Sequence, residues 1–521
     1  MEYHLTNARL QLSNLKESFK VGGSSDYLLL LGEIEAIVDY TNLEYITDKN
    51  EIDQLTEKAL AEYLTKPNHF HQLSALTGHY VVLQISANKL IRIITSDSLS
   101  PKLTMYYRVS EGMIDISNDF RLISADQDLR KVETYDSELL SHFSKKTRGG
   151  LPGKTYLKNV QRLDTKSVYS TKYEKVKKEA VIYPSDFREN VSVEDYLGVI
   201  GKKMPDEKFS LAYSSGIDSH VLLEAHQDKI DELCTYYFPY PNLGLEKTKA
   251  SGASVIQSIQ RGMVLPTLIS VDECDHSGIE FLKHSASFQI YTSHLALNYY
   301  RLAQESKNNH LILGESADAM AGFFTHTNEI RAKTLWADRK RLFWRLLDNL
   351  NFRRKLNKKY FEESLEHVLS CYSDDGYLKD SVDLTALSNL WPFMLYFKSS
   401  RTITNSVATI FAAGDYFNKS IHCPYAEPLS HFMVSQWRKS IGSVLDPKIE
   451  IRKKYDYISD EQITGKIHKP ADAIEGSLFD SILGDLNKAS PELSEYLKEC
   501  GVNKFASVHI ACLALQYESL K

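Results

Sequence analysis

Along the first ~130 residues, apolar positions fall in short runs broken by polar turns, a spacing that predicts β-strands rather than helices. Tyr27–Leu31 (YLLLL), Tyr80–Ile85 (YVVLQI) and Leu90–Ile94 (LIRII) are the clearest runs, and the polar SANK between the last two suits a hairpin. A charged helical stretch over Glu51–Leu64 interrupts them. A second β-rich stretch, punctuated by RGGLPGKTY, extends to about Ile182. The polar segment PSDFRENVSVED then leads into a helix and marks a boundary near 185–195.

Beyond it the pattern becomes strand followed by helix. Phe209–Tyr213 is a short apolar run, followed by a tight polar turn and the helical VLLEAHQ. Leu233–Phe238 is the next predicted strand, Glu246–Arg261 a helix, Val264–Val271 a third strand. Tyr291–Gln304 is helical and Leu311–Leu313 a fourth strand. Such alternation predicts a parallel sheet covered on both faces. From about 330 onward the chain reads as mainly helical, and it holds no internal repeat or low-complexity tract. The expected division is residues 1–190, β-rich, and 191–521, α/β with a helical C-terminal part.

Composition narrows the function classes. At 521 residues, with 43% apolar and 25% charged side chains, the chain is an ordinary globular protein with room for two or three cores. A net charge of -6 argues against a nucleic-acid partner for the whole protein. With no signal-peptide pattern and no apolar run of membrane-spanning length, the expectation is a cytoplasmic protein without a membrane partner. Six cysteines, at 234, 274, 371, 423, 500 and 512, never form a CxxC pair and read as buried, reduced thiols. His69 and His71 lack a third ligand nearby and read as a solvated loop or strand edge rather than a metal site.

The candidate chemistry lies in two turns. In FSLAYSSGIDS, a strand feeds Ser214, Ser215, Gly216, Ile217, Asp218 and Ser219, and a helix starts at once. At the carboxyl end of a parallel strand, amides and small hydroxyls at a helix start cradle phosphate. Asp218 would repel phosphate unless a divalent cation lay between them; the competing reading is a Ser-rich helix cap. LILGESADAMAGFF repeats the layout, with Glu315 and Asp318 after a strand, although a polar corner hinged on glycine is the bland alternative. Asp218 and Asp318 on one rim would share a magnesium ion.

The first turn resembles the SGGxDS pyrophosphate motif of N-type ATP pyrophosphatases, and the second resembles the GEGADELFGG motif of asparagine synthetases. Gly78–Ile85, Asp97–Tyr107 and Ile116–Ile123 resemble that family's GxFA, DxxGxxPLYY and FASEIKAL segments, and Pro424-Tyr425-Ala426-Glu427 stands where it has PFLD. The likeness covers nearly the whole chain, tightly at the two turns and loosely elsewhere. It implies a glutaminase-like, Ntn-hydrolase-type β-sandwich over 1–190 and an ATP pyrophosphatase domain, related to the adenine-nucleotide α-hydrolases, over 191–521.

Glutamine-dependent members begin Met-Cys and use that cysteine as nucleophile. Here position 2 is Glu and the first cysteine is Cys234, so glutaminase activity is expected to be absent. The resemblance then implies adenylation of a carboxylate by ATP and capture by an amine. Two branches lacking that cysteine are similar: lasso-peptide macrolactam synthetases and β-lactam synthetases. Both relax the Glu after the Asp of the second motif, here Ala319, and Glu315 in place of the β-lactam enzymes' Tyr favours the lasso branch. That branch implies a precursor peptide as substrate and a leader protease as partner.

By the same resemblance, Asp218 and Asp318 hold Mg2+ on ATP, Ser214, Ser215, Gly216, Ser219 and Gly314 contact the phosphates, and Glu315 serves the attacking amine. A late family lysine corresponds to Lys466 or Lys469 in GKIHKPADAIEGS, Lys469 fitting better by its distance to the next helix; either also reads as a solvated surface lysine. Arg331–Lys359 carries eleven Lys/Arg against two acids with helical apolar spacing, the pattern of an amphipathic surface helix or a holder of acidic peptide. A small-molecule amide synthetase (β-lactam-type or ammonia-using) and a nucleotide- or peptide-binding pseudoenzyme remain as alternatives, the last favoured by Ser215, Ser316 and Ala319 in place of the motif residues.

Overall fold

In the computed structural model, the YLLLL run lies inside a strand of 14 residues, Asp26–Asp39. Leu28 and Leu30 face one apolar cluster and Leu29 and Leu31 another, so a strand with both faces covered needs no polar alternation. The structure describes residues 2–13, 15–67, 69–97, 103–137, 140, 153–172, 175–182, 184, 186–188, 192–200, 202–214, 216–237, 267–270, 276–286, 296–315, 407–429 and 477–516. The expected helix over 246–261 and the basic stretch 331–359 lie outside these.

The strands up to residue 181 are β1 (Glu2–His4), β2 (Ala8–Gln11), β3 (Glu17–Gly22), β4 (Asp26–Asp39), β5 (Glu44–Ile46), β6 (Leu76–Ser86), β7 (Lys89–Thr95), β8 (Tyr106–Ser110), β9 (Met113–Ser117), β10 (Gln161–Arg162), β11 (Ser167–Ser170) and β12 (Lys177–Val181). One sheet runs β1-β2-β9-β8-β10; the other runs β12-β11-β7-β6-β4-β3, with β5 on β4. Both are antiparallel except for the parallel pair β2–β9. The SANK hairpin closes on the pair Ser86↔Lys89, with Ala87 and Asn88 at φ 48° and 58°. Two left-handed residues are what a tight, right-twisted hairpin turn requires.

Leu10, Leu29, Leu31, Val81, Leu83, Ile93, Ile114 and Ile116 fill the space between the two sheets. The outer face of the longer sheet is covered by helix α1 (Lys49–Thr65), whose buried Ile52, Thr56, Leu60 and Tyr63 recur at helical spacing and whose start is capped by Asp48 accepting from the Glu51 amide. His69 precedes and His71 lies within a short 3-10 turn, Phe70–Leu73, rather than on a strand edge, their rings 5.5 Å apart. Among the described residues no three acidic, His or Cys groups gather as metal ligands.

The outer face of the shorter sheet carries α2 (Phe120–Ser124) and is covered by the rest of the chain. Tyr106, Phe120, Tyr135 and Tyr156 share one buried cluster with residues as distant as Phe281, Ile410, Phe479 and Cys512. After α3 (Val193–Val199) comes a parallel sheet of β13 (Phe209–Ala212), β14 (Ile230–Tyr237), β15 (Thr267–Ser270), β16 (His310–Leu313) and β17 (Ser420–His422). Its order is β15-β14-β13-β16-β17 and all pairs are parallel. The predicted parallel sheet is thus present with one strand more than expected: Ser-Ile-His is too short and polar to stand out in sequence. Helices α4 (Ile217–Ala225), α5 (His276–Ala286), α6 (Ala296–Glu305) and α7 (Val407–Tyr416) accompany the sheet, and α8 (Ser477–Ala489), α9 (Pro491–Glu499) and α10 (Lys504–Gln516) form the helical C-terminal part. No helix among the described residues is long and apolar enough to cross a membrane. Cys234, Cys423, Cys500 and Cys512 are free thiols, as expected; Cys274 and Cys371 lie outside the described residues.

At the base of the parallel sheet Glu232 is buried, yet Ser210, Thr267 and the Lys307 amide donate to it at 2.6, 3.1 and 2.9 Å. Burial would raise this carboxyl, but the donors outweigh it and hold it below the usual range. The strand bases and the turn before β16 are thereby tied together.

Two predictions follow from packing. Gly32 lies opposite Tyr80 at φ +103°, where a Cβ would fall 2.0 Å from the His79 carbonyl oxygen. Gly32→Ala should therefore destabilise the chain by about 2–5 kcal/mol, read as a lowered urea midpoint; an unchanged midpoint would show that β4 and β6 can part. His509 of α10 is fully buried, its ring 5.4 Å from Tyr156, and neither ring nitrogen has a hydrogen-bond partner among the described residues. Burial pushes its imidazole from 6.5 down to about 3. The neutral ring costs nothing through protonation above pH 6.5, and stability is withdrawn as pH falls from there towards 3. His509→Phe should flatten that acid loss in denaturation curves taken between pH 7 and 4, and an equally steep loss would assign it to other groups.

Candidate active site

The chain builds β13, β14 and β15 to one side and then returns to place β16 and β17 on the other. The order therefore reverses between β13 and β16. Ligands of open parallel sheets bind in the crevice at such a switch point, beyond the carboxyl ends of the strands. The turns that end these two strands are the two singled out by sequence, SSGIDS after β13 and GES after β16.

Gly216 is the extended N-cap of α4 and supplies no side-chain cap, which leaves the first-turn amides to other acceptors. The turn is closed by its own hydroxyls. Ser219 is buried; its Oγ accepts from the Ser214 amide at 3.3 Å and donates to the Gly216 carbonyl at 3.0 Å. Ser214 Oγ lies 3.3 Å from Ser219 Oγ and 3.4 Å from the Gly216 amide nitrogen. Ser214 is exposed at the rim and Asp218 half-buried, so the turn presents Ser214 and Asp218 outward while Ser219 holds its shape.

The second turn touches the first through backbone. A Cβ at Gly314 would stand 3.1 Å from the Ser219 nitrogen and 3.3 Å from the Asp218 carbonyl carbon, tighter than ordinary packing tolerates. Glycine here lets β16 deliver Glu315 directly beside the start of α4. Glu315 is half-buried and accepts a short hydrogen bond from the Tyr299 hydroxyl of α6. Tyr299 is itself buried, so its ring fixes where the carboxylate sits.

A third segment closes the site from beneath. Pro424–Ala426 form a buried 3-10 turn after β17, and the Tyr425 hydroxyl donates to the Asp218 carbonyl oxygen at 2.8 Å. Cys423 is buried beside this turn; burial, then the Glu315 and Glu427 carboxylates, push its thiol well above its ordinary range and keep it protonated. His422 Nε2 lies 3.1 Å from His310 Nδ1, the rings tilted by 40°, and burial followed by His310 pushes His422 down to about 4.

The structure therefore brings together Ser214, Gly216, Asp218, Ser219, Gly314 and Glu315. Ser215, Asp318, Lys466 and Lys469 lie outside the described residues, as do Ser316 and Ala319. Sequence alone does not point to Tyr299, since one Tyr in a helix carries no distance to the turn 16 positions on. Tyr425 stands out in sequence only within Pro424-Tyr425-Ala426-Glu427. Matched against models of known protein families, the chain gives no hit, and no curated protein matches it.

The site accordingly holds a helix start whose N-cap glycine supplies no side-chain cap, one carboxylate within that helix's first turn, and a second carboxylate oriented by a phenol. The Asp218 carboxylate is a hard oxygen donor of the kind that suits Mg2+, which completes its shell with water and substrate phosphate. The Tyr299–Glu315 pair is testable by itself. Tyr299→Phe should leave the fold intact and abolish the restraint on Glu315. Crystallography of that variant should show the Glu315 side chain in altered or multiple rotamers; an unmoved carboxylate would mean that the backbone alone positions it.

Proposed function

We propose that the chain is an ATP-consuming amide-bond synthetase of the asparagine-synthetase type, acting on a carboxylate and an amine carried by a peptide. The observation that carries this reading is the backbone contact of the SSGIDS and GES turns at the switch point between β13 and β16. A phosphate cradle and a placed carboxylate within one crevice are what adenylation followed by aminolysis requires.

In this scheme a substrate carboxylate oxygen attacks the α-phosphorus of ATP, and pyrophosphate leaves towards the amides at the start of α4. Asp218, together with Asp318, would hold the magnesium that neutralises the phosphates. The amine then attacks the acyl carbon, AMP departs, and the amine proton passes to Glu315. Lys469 or Lys466 is the proposed cation for the charge that develops on the acyl-adenylate. The finer fold assignments, an Ntn-hydrolase-like sandwich over 1–190 and an ATP pyrophosphatase domain over 191–521, belong to the same proposal. Two sheets stacked between a helix on one side and helices on the other support the first; the switch-point turns support the second.

No cysteine precedes Cys234, and Cys234 is buried, so the N-terminal sheets offer no thiolate for releasing ammonia from glutamine. An amine already present in the substrate fits better, and macrolactam closure in a ribosomal precursor peptide, trimmed by a leader protease, is the form we favour. A β-lactam-type or ammonia-using synthetase would use the same crevice on a smaller substrate. A pseudoenzyme would bind nucleotide there without turnover.

Incubation with Mg·ATP and candidate peptides should release AMP and pyrophosphate, resolved by chromatography, together with a product lighter than its substrate by one water in the mass spectrum. Release of ADP and phosphate would overturn the assignment. Asp218→Asn should lower pyrophosphate release by roughly 10²–10³-fold. Glu315→Gln should spare pyrophosphate release while slowing amide formation by about 10²–10⁴-fold, because it removes basicity and keeps shape. Parallel loss of both would place Glu315 in adenylation instead.

A further inference from the structure

The junction between the N-terminal sheets and the parallel sheet holds charges that the proposed chemistry leaves unused. Lys203, in the turn between α3 and β13, makes a short ion pair with Glu35 of β4 and lies 3.6 Å from Glu427. His79 of β6 adds a contact to Glu35 at 3.1 Å. Burial would lower the Lys203 ammonium, but Glu427 and Glu35 outweigh it and raise it above its usual range. Burial would likewise raise Glu35, but Lys203 and then His79 hold it below. Lys203, Glu35 and Glu427 are half-buried, which sets them apart from a fully solvated surface bridge.

What makes the cluster informative is the other end of the Glu427 segment. Glu427 ends the 3-10 turn Pro424–Ala426, two residues after Tyr425, whose hydroxyl donates to the Asp218 carbonyl oxygen. Two residues further on, the Leu429 amide donates to the Tyr45 hydroxyl of β5 at 3.2 Å. One five-residue stretch is thus held at Leu429 by Tyr45 of β5, is linked at Glu427 through Lys203 to Glu35 of β4, and grips the first turn of α4 at Tyr425. The small cavity beside it, lined by Tyr45, Val199, Lys203, His422, Pro424 and Glu427, draws its walls from both halves of the chain.

We propose that Lys203 and Tyr425 are positioning residues for nucleotide: the Glu35–Lys203–Glu427 cluster fixes the turn from which Tyr425 sets the backbone of Asp218, so the N-terminal sheet tunes the phosphate end of the crevice. The inference rests on the nucleotide reading given above. It gives the N-terminal half a task that needs no glutaminase chemistry.

The test titrates the full-length chain with Mg2+ and α,β-methylene-ATP by calorimetry, with urea denaturation of each variant in parallel. Tyr425→Phe and Lys203→Met should each weaken analogue binding by about tenfold, and Lys203→Arg, which keeps the charge, should bind nearly as well as the parent. Glu427→Gln keeps the volume and serves in place of Lys203→Met if that variant does not fold. The double variant Lys203→Met/Tyr425→Phe should bind no more weakly than the weaker single one, because both cut the same connection. A merely structural role would lower the urea midpoint and leave the affinity of the folded protein unchanged, which overturns the proposal. Additive losses in the double variant also overturn it. If the parent chain itself fails to bind the analogue, the nucleotide reading falls and this inference with it, an outcome distinct from variants that bind as well as the parent.

Discussion

The geometry of the crevice depends on how closely two backbones approach. Gly314 brings the end of β16 against the Asp218–Ser219 peptide, at a distance that a methyl group would make uncomfortable. Everything offered to a ligand follows from this contact: Glu315 reaches the helix start, Tyr299 can restrain it, and the two turns form one rim. The Ser219 hydroxyl, linking both sides of its own loop, keeps the first turn from opening under that pressure. A side chain at 314 would press on the Asp218–Ser219 peptide and on the Asp218 Cβ, 3.5 Å away, so one turn would have to yield by a few tenths of an ångström.

The two ends of the parallel sheet are built differently. At the base, a buried carboxylate on Glu232 gathers donors from a neighbouring strand, an edge strand and the loop leading into β16. Lys419 reinforces the same corner by donating to Ser306 Oγ at 2.8 Å and to the Asn308 carbonyl at 3.3 Å. At the top, the groups at the crevice are carboxylates, a hydroxyl and a helix start whose N-cap glycine supplies no side-chain cap.

Much of this was legible in the residues. Apolar runs long enough to hold their register, such as Tyr80–Ile85 and Leu90–Ile94, marked strands that form, and the helix expected over Glu51–Leu64 extends only slightly beyond those limits. The two turns were legible because small residues and acids directly after an apolar strand have few structural uses. Short strands such as β10 and β17 were not, since their order comes from neighbours and not from their own two or three side chains. The restraint of Glu315 by Tyr299 and the grip of Tyr425 on Asp218 were invisible for a related reason. A phenol announces its hydrogen-bond partner only after tertiary structure has brought the two together.

The apolar cluster that unites Tyr106, Phe120, Tyr135 and Tyr156 with α5 to α10 has a consequence for the order of events during synthesis. The inner layer between the two N-terminal sheets is complete once residue 169 has left the ribosome, and β-sandwich formation can begin there. Its outer aromatic face must wait for Phe479 and for Ile510 to Ala514, more than 300 residues later. Throughout that interval part of this apolar surface remains uncovered. The same dependence means that the N-terminal sheets could not be shed by truncation without stripping Tyr106, Phe120, Tyr135 and Tyr156 from the cluster that holds the C-terminal helices.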